Sequence, residues 1–260
     1  MKPQVCIIRT DGTNCDRETA YAFEKAGGNC QLVHLNQLRN GAEKLDDYQI
    51  MAIPGGFSYG DDIQAGKVLS VELASFLKEQ LKKFVDDGKP VIGICNGFQV
   101  LVRTGLLPWN ELGTIRATLM PNHSGHFECR WVSLILEETN CIFTRGMGGT
   151  LVEYQVAHGE GKFYTSEQDL QEIEQSGQVV FRYADPVERK QTMRYPYNPN
   201  GSLHAIAGIC DRTGRVLGLM PHPERFVEFY HHPNWRRQKF SEPHGFALFK
   251  NAVEYAIKHL

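Results

Sequence analysis

The stretch VIGICNGFQ, residues 91–99, decides how the centre of this chain folds. Four apolar residues predict a buried β-strand, and the glycines two positions before and after Cys95 allow a sharp turn into a helix that begins near Asn96. A strand, a G-x-C-x-G turn and a helix are typical of a nucleophile elbow with cysteine in place of serine. The helix N-terminus favours a thiolate, so Cys95 is a candidate nucleophile, although a buried structural cysteine fits the pentapeptide equally well.

Strands and helices alternate around this stretch in the first 105 residues. Apolar runs at 5–8, 31–35, 48–53 and 91–94 predict strands, and the spacing at 14–26 and 71–85 predicts helices. This alternation indicates an α/β fold with a central, mostly parallel sheet and helices on both faces.

After about residue 105 the pattern changes, and strand-like runs dominate. Five of them predict a small β-rich extension: 130–136, 149–157, 179–184, 205–211 and 216–220. Only two helices are predicted there, one at 166–175 with Thr165 and Gln168 as its capping box, and one at 243–258. Nothing linker-like interrupts the chain, so we expect one domain over 1–260.

Composition excludes several classes of protein. With 28 Lys and Arg against 30 Asp and Glu, the net charge of -2 offers no basic surface for nucleic acid. No apolar run approaches the roughly 18 residues of a membrane span, and the N-terminus lacks the apolar core of a signal peptide. Seven cysteines without a C-x-x-C pair favour neither a disulfide framework nor a zinc ribbon. We therefore expect a cytoplasmic protein that binds neither nucleic acid nor membrane.

A base for Cys95 has to come from elsewhere in the chain. The sequence MPHPE, residues 220–224, follows a predicted strand and holds His222 and Glu224 two positions apart. If the proline keeps the segment extended, the two side chains project to the same side, and Glu224 can orient the ring of His222. Alone, the segment would more often be a surface histidine in a proline turn. Together with the elbow, it indicates a Cys-His-Glu triad.

An oxyanion hole is the third part that such chemistry needs. The sequence PGGF, residues 54–57, ends the strand predicted beside the nucleophile strand. The backbone N–H of Gly56 could approach a substrate carbonyl there, and the N–H of Asn96 is the natural second donor. Alone, the P-G-G sequence would be an ordinary turn.

Taken in this order, P-G-G, G-x-C-x-G-x-Q and P-H-P-E resemble the motifs of class I, triad-type glutamine amidotransferases, whose fold is flavodoxin-like. Further segments resemble one family among them, the glutaminase components of phosphoribosylformylglycinamidine synthase. These segments are RTDGTNCD (9–16), FSYGDD (57–62), NHSGHFE (122–128), HGEG (158–161) and NPNGS (198–202). Two other segments, 183–198 and 228–243, are expected to be additions to the stand-alone form of that family.

The resemblance implies a role for each matched residue. Cys95 attacks the side-chain amide of L-glutamine and forms a γ-glutamyl thioester, His222 moves the protons, and Glu224 orients His222. Gly56 and Asn96 stabilise the oxyanion. The residues implied in binding glutamine are Gln99, Asn122, Ser124 and Phe127.

The resemblance also implies partners, because the family's reaction consumes ATP. The segment 60–68 departs from a Walker A loop by its glycine spacing and by Val68, so we expect no cofactor and no metal on this chain. ATP and Mg²⁺ are then expected on a synthetase subunit (PurL type) that receives the ammonia for de novo purine synthesis. A small third subunit (PurS type) is left open.

Two other functions stay open at this point. The chain could be the glutaminase of another synthetase, such as one for GMP or carbamoyl phosphate, although RTDGTNCD argues against this. It could also be a redox-sensing or chaperone-like relative, in which case His222 and Glu224 would have no role beside Cys95.

Overall fold

The computed structural model describes residues 2–260. It contains twelve strands and seven α-helices. The strands are β1 (Gln4–Arg9), β2 (Asn29–His34), β3 (Ile50–Ile53), β4 (Val91–Ile94), β5 (Ala117–Pro121), β6 (Glu128–Leu136), β7 (Leu151–His158), β8 (Glu160–Thr165), β9 (Val179–Asp185), β10 (Lys190–Gln191), β11 (Ile206–Cys210) and β12 (Val216–Leu219). The helices are α1 (Asp16–Lys25), α2 (Leu35–Arg39), α3 (Lys67–Phe76), α4 (Lys78–Asp86), α5 (Asn96–Thr104), α6 (Glu167–Gln175) and α7 (Phe246–His259).

Ten strands form one sheet, in the order β2-β1-β3-β4-β12-β11-β9-β6-β7, with β10 paired to β9. The strands from β2 to β12 along this order run parallel, and their residues are apolar and almost fully buried in β1, β3, β4 and β12. Apolar residues on both sides of a strand are typical of a parallel sheet that is covered on both faces. The predicted fold class is confirmed.

The second half of the chain extends this sheet. Strands β11, β9, β6 and β7 continue it with antiparallel pairing, and only β5 and β8 form a separate two-stranded sheet. The predicted β-rich extension is therefore mainly the antiparallel half of the central sheet. Because both halves share one sheet, a loop from the antiparallel half can reach the ends of the parallel strands.

The helices pack in two groups. Phe23 of α1 and Phe249 of α7 meet edge to face with ring centroids 4.9 Å apart, and α3 packs against α5. The helix predicted over 71–85 is in fact two helices, because Leu77 leaves helical geometry at φ −111° and ψ 11° while its side chain stays buried. Within the described residues, none of the helices combines the length and the apolar character needed to cross a membrane.

The centre of the sheet brings three strand ends together. Strand β4 pairs in parallel with β3 on one side and β12 on the other, so all three carboxyl ends meet at one edge. The turn after β4 is tightly packed: a β-carbon on Gly97 would lie 1.8 Å from the carbonyl oxygen of Ile53, and one on Gly93 would lie 2.5 Å from that of Gly97. Only glycine fits these two positions.

Replacing Gly97 with alanine should therefore destabilise the fold. The added carbon has to push α5 away from β3, and overpacking of this kind costs about 1–3 kcal/mol or more. Urea denaturation should show a lower free energy of unfolding. The matched control is Gly159→Ala, where the nearest atom to the added carbon is Phe127 Cδ2 at 3.8 Å. Equal midpoints for the two variants would contradict the packing argument.

Candidate active site

Cys95 lies at the turn between β4 and α5 in a conformation that side chains rarely adopt, with φ 52° and ψ −105°. Its amide donates a hydrogen bond to Leu219 O of β12 at 2.8 Å, which holds the strained residue in place. The thiol points toward the carbonyl oxygen of Ala157, 3.7 Å from Sγ. A strained cysteine at a strand-to-helix turn is the arrangement that the sequence predicted.

His222 and Glu224 follow β12 and are both almost completely buried. The imidazole Nδ1 donates to Glu224 Oε1 at 2.6 Å, and the backbone N–H of His222 donates to Gln155 O at 2.8 Å. The proline does not keep the whole segment extended as expected. His222 is extended, but Pro223–Arg225 is a turn of 3₁₀ helix, and this turn brings Glu224 back to the ring.

Cys95 and His222 converge on Gly55, which follows β3. A β-carbon on Gly55 would lie 2.8 Å from His222 Cε1, 3.1 Å from Cys15 Sγ and 3.5 Å from Cys95 Cβ. Among the described residues, His222 Nε2 has no hydrogen-bond partner. The free ring nitrogen and the thiol therefore share one small space that only a glycine leaves open.

The environment of His222 favours its protonated form. Burial opposes a charge on the ring, but the carboxylate of Glu224 and the thiols of Cys95 and Cys15 favour the imidazolium, and the pKa of His222 is raised well above its usual value. A histidine in this state can hold a proton beside a thiolate and release it to a leaving group.

A cavity of about 140 Å³ opens beside Cys95. Within the part of the chain that the structure describes, no protein acceptor takes the N–H of Gly56, and the N–H of Asn96 is free because it opens α5. The residues that line the cavity are Gly56, Phe57, Asp61, Ala65, Cys95, Gln99, Phe127, Ala157, His158, Gly159 and Glu160.

Polar side chains on one wall of the cavity hold one another in place. Asn96 Nδ2 donates to Gln99 Oε1 at 2.9 Å and to Asp61 Oδ1 at 3.2 Å. Gln99 Nε2 donates to Glu160 O at 2.6 Å. Burial raises the pKa of Asp61. This wall therefore presents the fixed amide of Gln99 and the carboxyl group of Asp61 to a molecule that fills the cavity.

Asn122 lies behind the opposite wall and determines the state of His158. Its amide nitrogen donates to the carbonyls of His158 and His126, at 2.7 and 2.9 Å, so its Oδ1 is the acceptor that faces His158 Nδ1 at 3.0 Å. His158 Nδ1 therefore carries the proton, and Nε2 is a buried acceptor with no partner among the described residues. Burial, followed by the charge of His222, lowers the pKa of His158 to about 3.

The remaining predicted binding residues are divided between two cavities. Gln99 and Phe127 line the cavity at Cys95, and the exposed Phe127 ring stacks on Phe57 with centroids 6.5 Å apart. Ser124 lines a separate cavity of about 540 Å³ together with His126, Met193 and Tyr195.

Some residues of the site escaped the sequence analysis. Asp61 and Glu160 lie in the segments FSYGDD and HGEG, so their motifs were recognised but their side chains had no predicted role. Cys15, which lies in the segment RTDGTNCD and was expected to be only a packing residue, lies against His222. Nothing in the local sequence pattern signals that contact, since Cys15 and His222 are about 200 residues apart.

A cysteine on an elbow and a buried His-Glu pair, on this sheet, are the features expected of triad-type glutamine amidotransferases. The family model of the CobB/CobQ-like glutamine amidotransferase domain matches residues 2–256. At the level of structure, the chain is similar to one in the "Structure of PurLQS from Thermotoga maritima", with a TM-score of 0.75, 34% identity and coverage of 98% of this chain and 99% of that one.

Curated relatives show to which family of glutamine amidotransferases the chain belongs. The chain is 46% identical to a protein of Dehalococcoides mccartyi over 98% of both chains. It is 42% identical to a protein of Methanococcus maripaludis strain C5 over 99% of this chain and 100% of that one. Both are named phosphoribosylformylglycinamidine synthase subunit PurQ, and the chain belongs to this family.

The same alignments correct one expectation. Segments 183–198 and 228–243 were expected to be additions to the stand-alone subunit. Relatives named as separate subunits match this chain over nearly the full length of both proteins, so the two segments are not additions relative to them.

The low pKa of His158 predicts how stability depends on pH. Unfolding restores an ordinary pKa near 6.5, so below that pH the unfolded chain binds a proton that the folded chain does not, and stability falls toward pH 3. His158→Asn keeps a donor for Asn122 and removes this titration. Its free energy of unfolding should fall less steeply below pH 6, by up to about 1.4 kcal/mol per pH unit.

Denaturant unfolding between pH 4 and 7 measures these slopes. The exposed His126 provides the control, and His126→Asn should keep the wild-type slope. A wild-type slope in His158→Asn as well would show that His158 is protonated in the folded protein.

Proposed function

We propose that this chain is the glutaminase subunit of phosphoribosylformylglycinamidine synthase and hydrolyses L-glutamine with the triad Cys95, His222 and Glu224. The observation that carries the proposal is the meeting of Cys95 and the His222–Glu224 pair at Gly55, next to a cavity with free backbone N–H groups. Membership of the PurQ family supports the reaction class.

The first half of the reaction releases ammonia. The Cys95 sulfur attacks the side-chain carbonyl carbon of glutamine after its proton has passed to His222. The carbonyl oxygen becomes an oxyanion, for which the N–H groups of Gly56 and Asn96 are the proposed donors, each commonly worth about 3 kcal/mol in such sites. His222 then gives its proton to the amide nitrogen, the C–N bond breaks, and a γ-glutamyl thioester remains on Cys95.

The second half restores the enzyme. His222 takes a proton from water as the water oxygen attacks the thioester carbon. The C–S bond breaks, glutamate leaves, and the thiol regains its proton. Glu224 keeps Nδ1 of His222 protonated throughout, so that Nε2 is the atom that exchanges protons with sulfur, nitrogen and water.

The cavity walls suggest how glutamine is held. Gln99 faces the substrate from α5, and Asp61 offers a carboxylate for the α-ammonium group. Phe127 covers the mouth together with Phe57. Asn122 acts through His158 and the surrounding backbone, and for Ser124, which lines the neighbouring cavity, substrate contact stays a prediction.

We further propose that residues 1–260 are one glutamine amidotransferase domain that delivers its ammonia to a separate synthetase subunit. One continuous core and the match over 2–256 support a single domain. The similarity to a chain of PurLQS from Thermotoga maritima supports a synthetase partner of PurL type and a small partner of PurS type, and we assign ATP and Mg²⁺ to the synthetase. Seven free cysteines fit the reducing cytoplasm.

Removing the thiol tests the chemistry. Cys95→Ala should reduce glutamate release by at least about 1,000-fold, because Cys95 carries the one thiol among the residues that line the cavity. Cys129→Ala removes an exposed thiol from β6 and should keep wild-type turnover. Activity in Cys95→Ala comparable to wild type would exclude the proposed nucleophile, whereas no glutamate release by the wild type would favour the redox-sensing alternative.

Adding the synthetase subunit tests the assembly. The isolated chain is expected to hydrolyse glutamine slowly, and its kcat should rise when the synthetase is present with its acceptor and ATP, since ammonia released without an acceptor is lost to water. Steady-state assays with and without the partner measure the effect. Equal turnover in both would contradict the proposed coupling.

A further inference from the structure

Four side chains with metal-ligand atoms lie together where α1 begins. Two of them, His222 and Glu224, also belong to the proposed triad. Cys15 caps α1 and Glu18 lies in its first turn, and both approach the 3₁₀ turn that carries Glu224. One ligand atom from each of Cys15, Glu18, His222 and Glu224 lies within 4.8 Å of all the others. A thiol, an imidazole and two carboxylates thus surround one point.

Glu224 has an unused oxygen at this place. Its Oε1 accepts from His222, but Oε2 is buried and has no partner among the described residues. Glu224 itself is only 1% exposed. A buried carboxylate oxygen without a donor is costly, and a bound cation would satisfy it.

The group can be reached without passing through the glutamine cavity. Glu18 and Glu224 line an open cavity of about 580 Å³, together with Tyr21, Gln155 and Arg225. Cys95 lies in the other cavity. An ion can therefore approach Glu224 from the side of α1 while glutamine approaches Cys95 from its own side.

A cation already occupies part of this space. Arg225 donates from Nε to Glu18 Oε1 at 3.0 Å and from its terminal nitrogen to Cys15 Sγ at 3.3 Å. Glu18 and Glu224 are among the charges that hold the pKa of Arg225 above its usual value. The position of the Arg225 guanidinium shows that these four side chains attract positive charge. Because Arg225 also lines the open cavity, its side chain has room to move outward.

We propose that Cys15, Glu18, His222 and Glu224 form an inhibitory site for a thiophilic divalent cation of the zinc class. The mixture of sulfur, nitrogen and oxygen donors suits Zn²⁺, which binds them at about 2.0–2.3 Å in tetrahedral geometry, whereas Mg²⁺ and Ca²⁺ prefer oxygen alone. The side chains close around the ion by small rotations as Arg225 leaves.

Metal binding and catalysis exclude each other. The bound ion takes Glu224 and one ring nitrogen of His222, so His222 can no longer move protons for Cys95. The inhibition rests on the proposed function, but the binding does not, because the ligands are present whether or not the chain hydrolyses glutamine.

Metal titration of the full-length chain tests the site directly. Isothermal titration with Zn²⁺ and absorption spectra with Co²⁺ should show one ion per chain and a thiolate-to-cobalt band. Both signals should persist in Cys95→Ala and Cys129→Ser, which remove the triad thiol and an exposed thiol. Cys15→Ser should lose the cobalt band and weaken Zn²⁺ binding at least about tenfold, in line with the loss of one ligand.

Glu18→Gln provides a second variant if Cys15→Ser fails to fold, since Glu18 is partly exposed and should tolerate the change. It too should weaken binding about tenfold. Binding that is unchanged in Cys15→Ser, binding lost in Cys95→Ala, or no binding by the wild type would each overturn the proposal. Loss in Cys95→Ala would place the ion in the glutamine cavity.

Glutamate release in the presence of Zn²⁺ then tests the inhibition. The concentration that halves the rate should be at least about tenfold higher for Cys15→Ser than for wild type, each compared with its own metal-free rate. Equal inhibition of both proteins would show that the metal acts at Cys95. Failure of the proposed function would instead appear as absent turnover with metal binding intact.

Discussion

The parallel pairing of β4 with both β3 and β12 is the constraint on which the site depends. It places Gly55 and Gly56, Cys95 and His222 at the ends of three adjacent strands, although they come from distant parts of the chain. The amide of Cys95 donates to Leu219 O of β12, so the strand that leads to His222 also holds Cys95 in its strained conformation. A shift in the register of one of these strands would separate the thiol of Cys95 from the imidazole of His222.

Burial gives the assembled groups their chemical character. Two histidines lie near Cys95, and their surroundings move their pKa values in opposite directions. His222 faces a carboxylate and two thiols and is held in a state that can carry a proton. His158 faces the oxygen of Asn122, and burial keeps it neutral. His222 therefore suits proton transfer, whereas His158 donates to Asn122 and leaves only Nε2 as a hydrogen-bond acceptor.

The carboxylate of Glu224 contacts His222 of the proposed triad and also lines the open cavity beside α1. Glu224 orients His222 through one oxygen and leaves the other buried without a donor, near Cys15, Glu18 and the guanidinium of Arg225. In the proposed metal-bound state, a cation takes this oxygen together with a ring nitrogen of His222. An ion bound at the start of α1 would then stop the proposed reaction at Cys95 without contacting glutamine.

Local sequence determined the parts whose causes are local. The G-x-C-x-G pattern predicted the strand-to-helix turn, in which Gly93 packs against Gly97, and the alternation of apolar runs with amphipathic segments determined the α/β class. The boundaries of the helices were less predictable. Helix α6 is capped by Ser166, which accepts a hydrogen bond from the N–H of Asp169. The cap lies one residue later than expected, because neighbouring hydroxyl residues compete for this position. The 3₁₀ turn at Pro223–Arg225, which contacts α1 and β7, and the break at the buried Leu77 were not predicted. Only the tertiary structure decided that Cys15 touches His222, that Asn122 sets the tautomer of His158, and that Ser124 belongs to another cavity, since these contacts join residues that no periodicity relates.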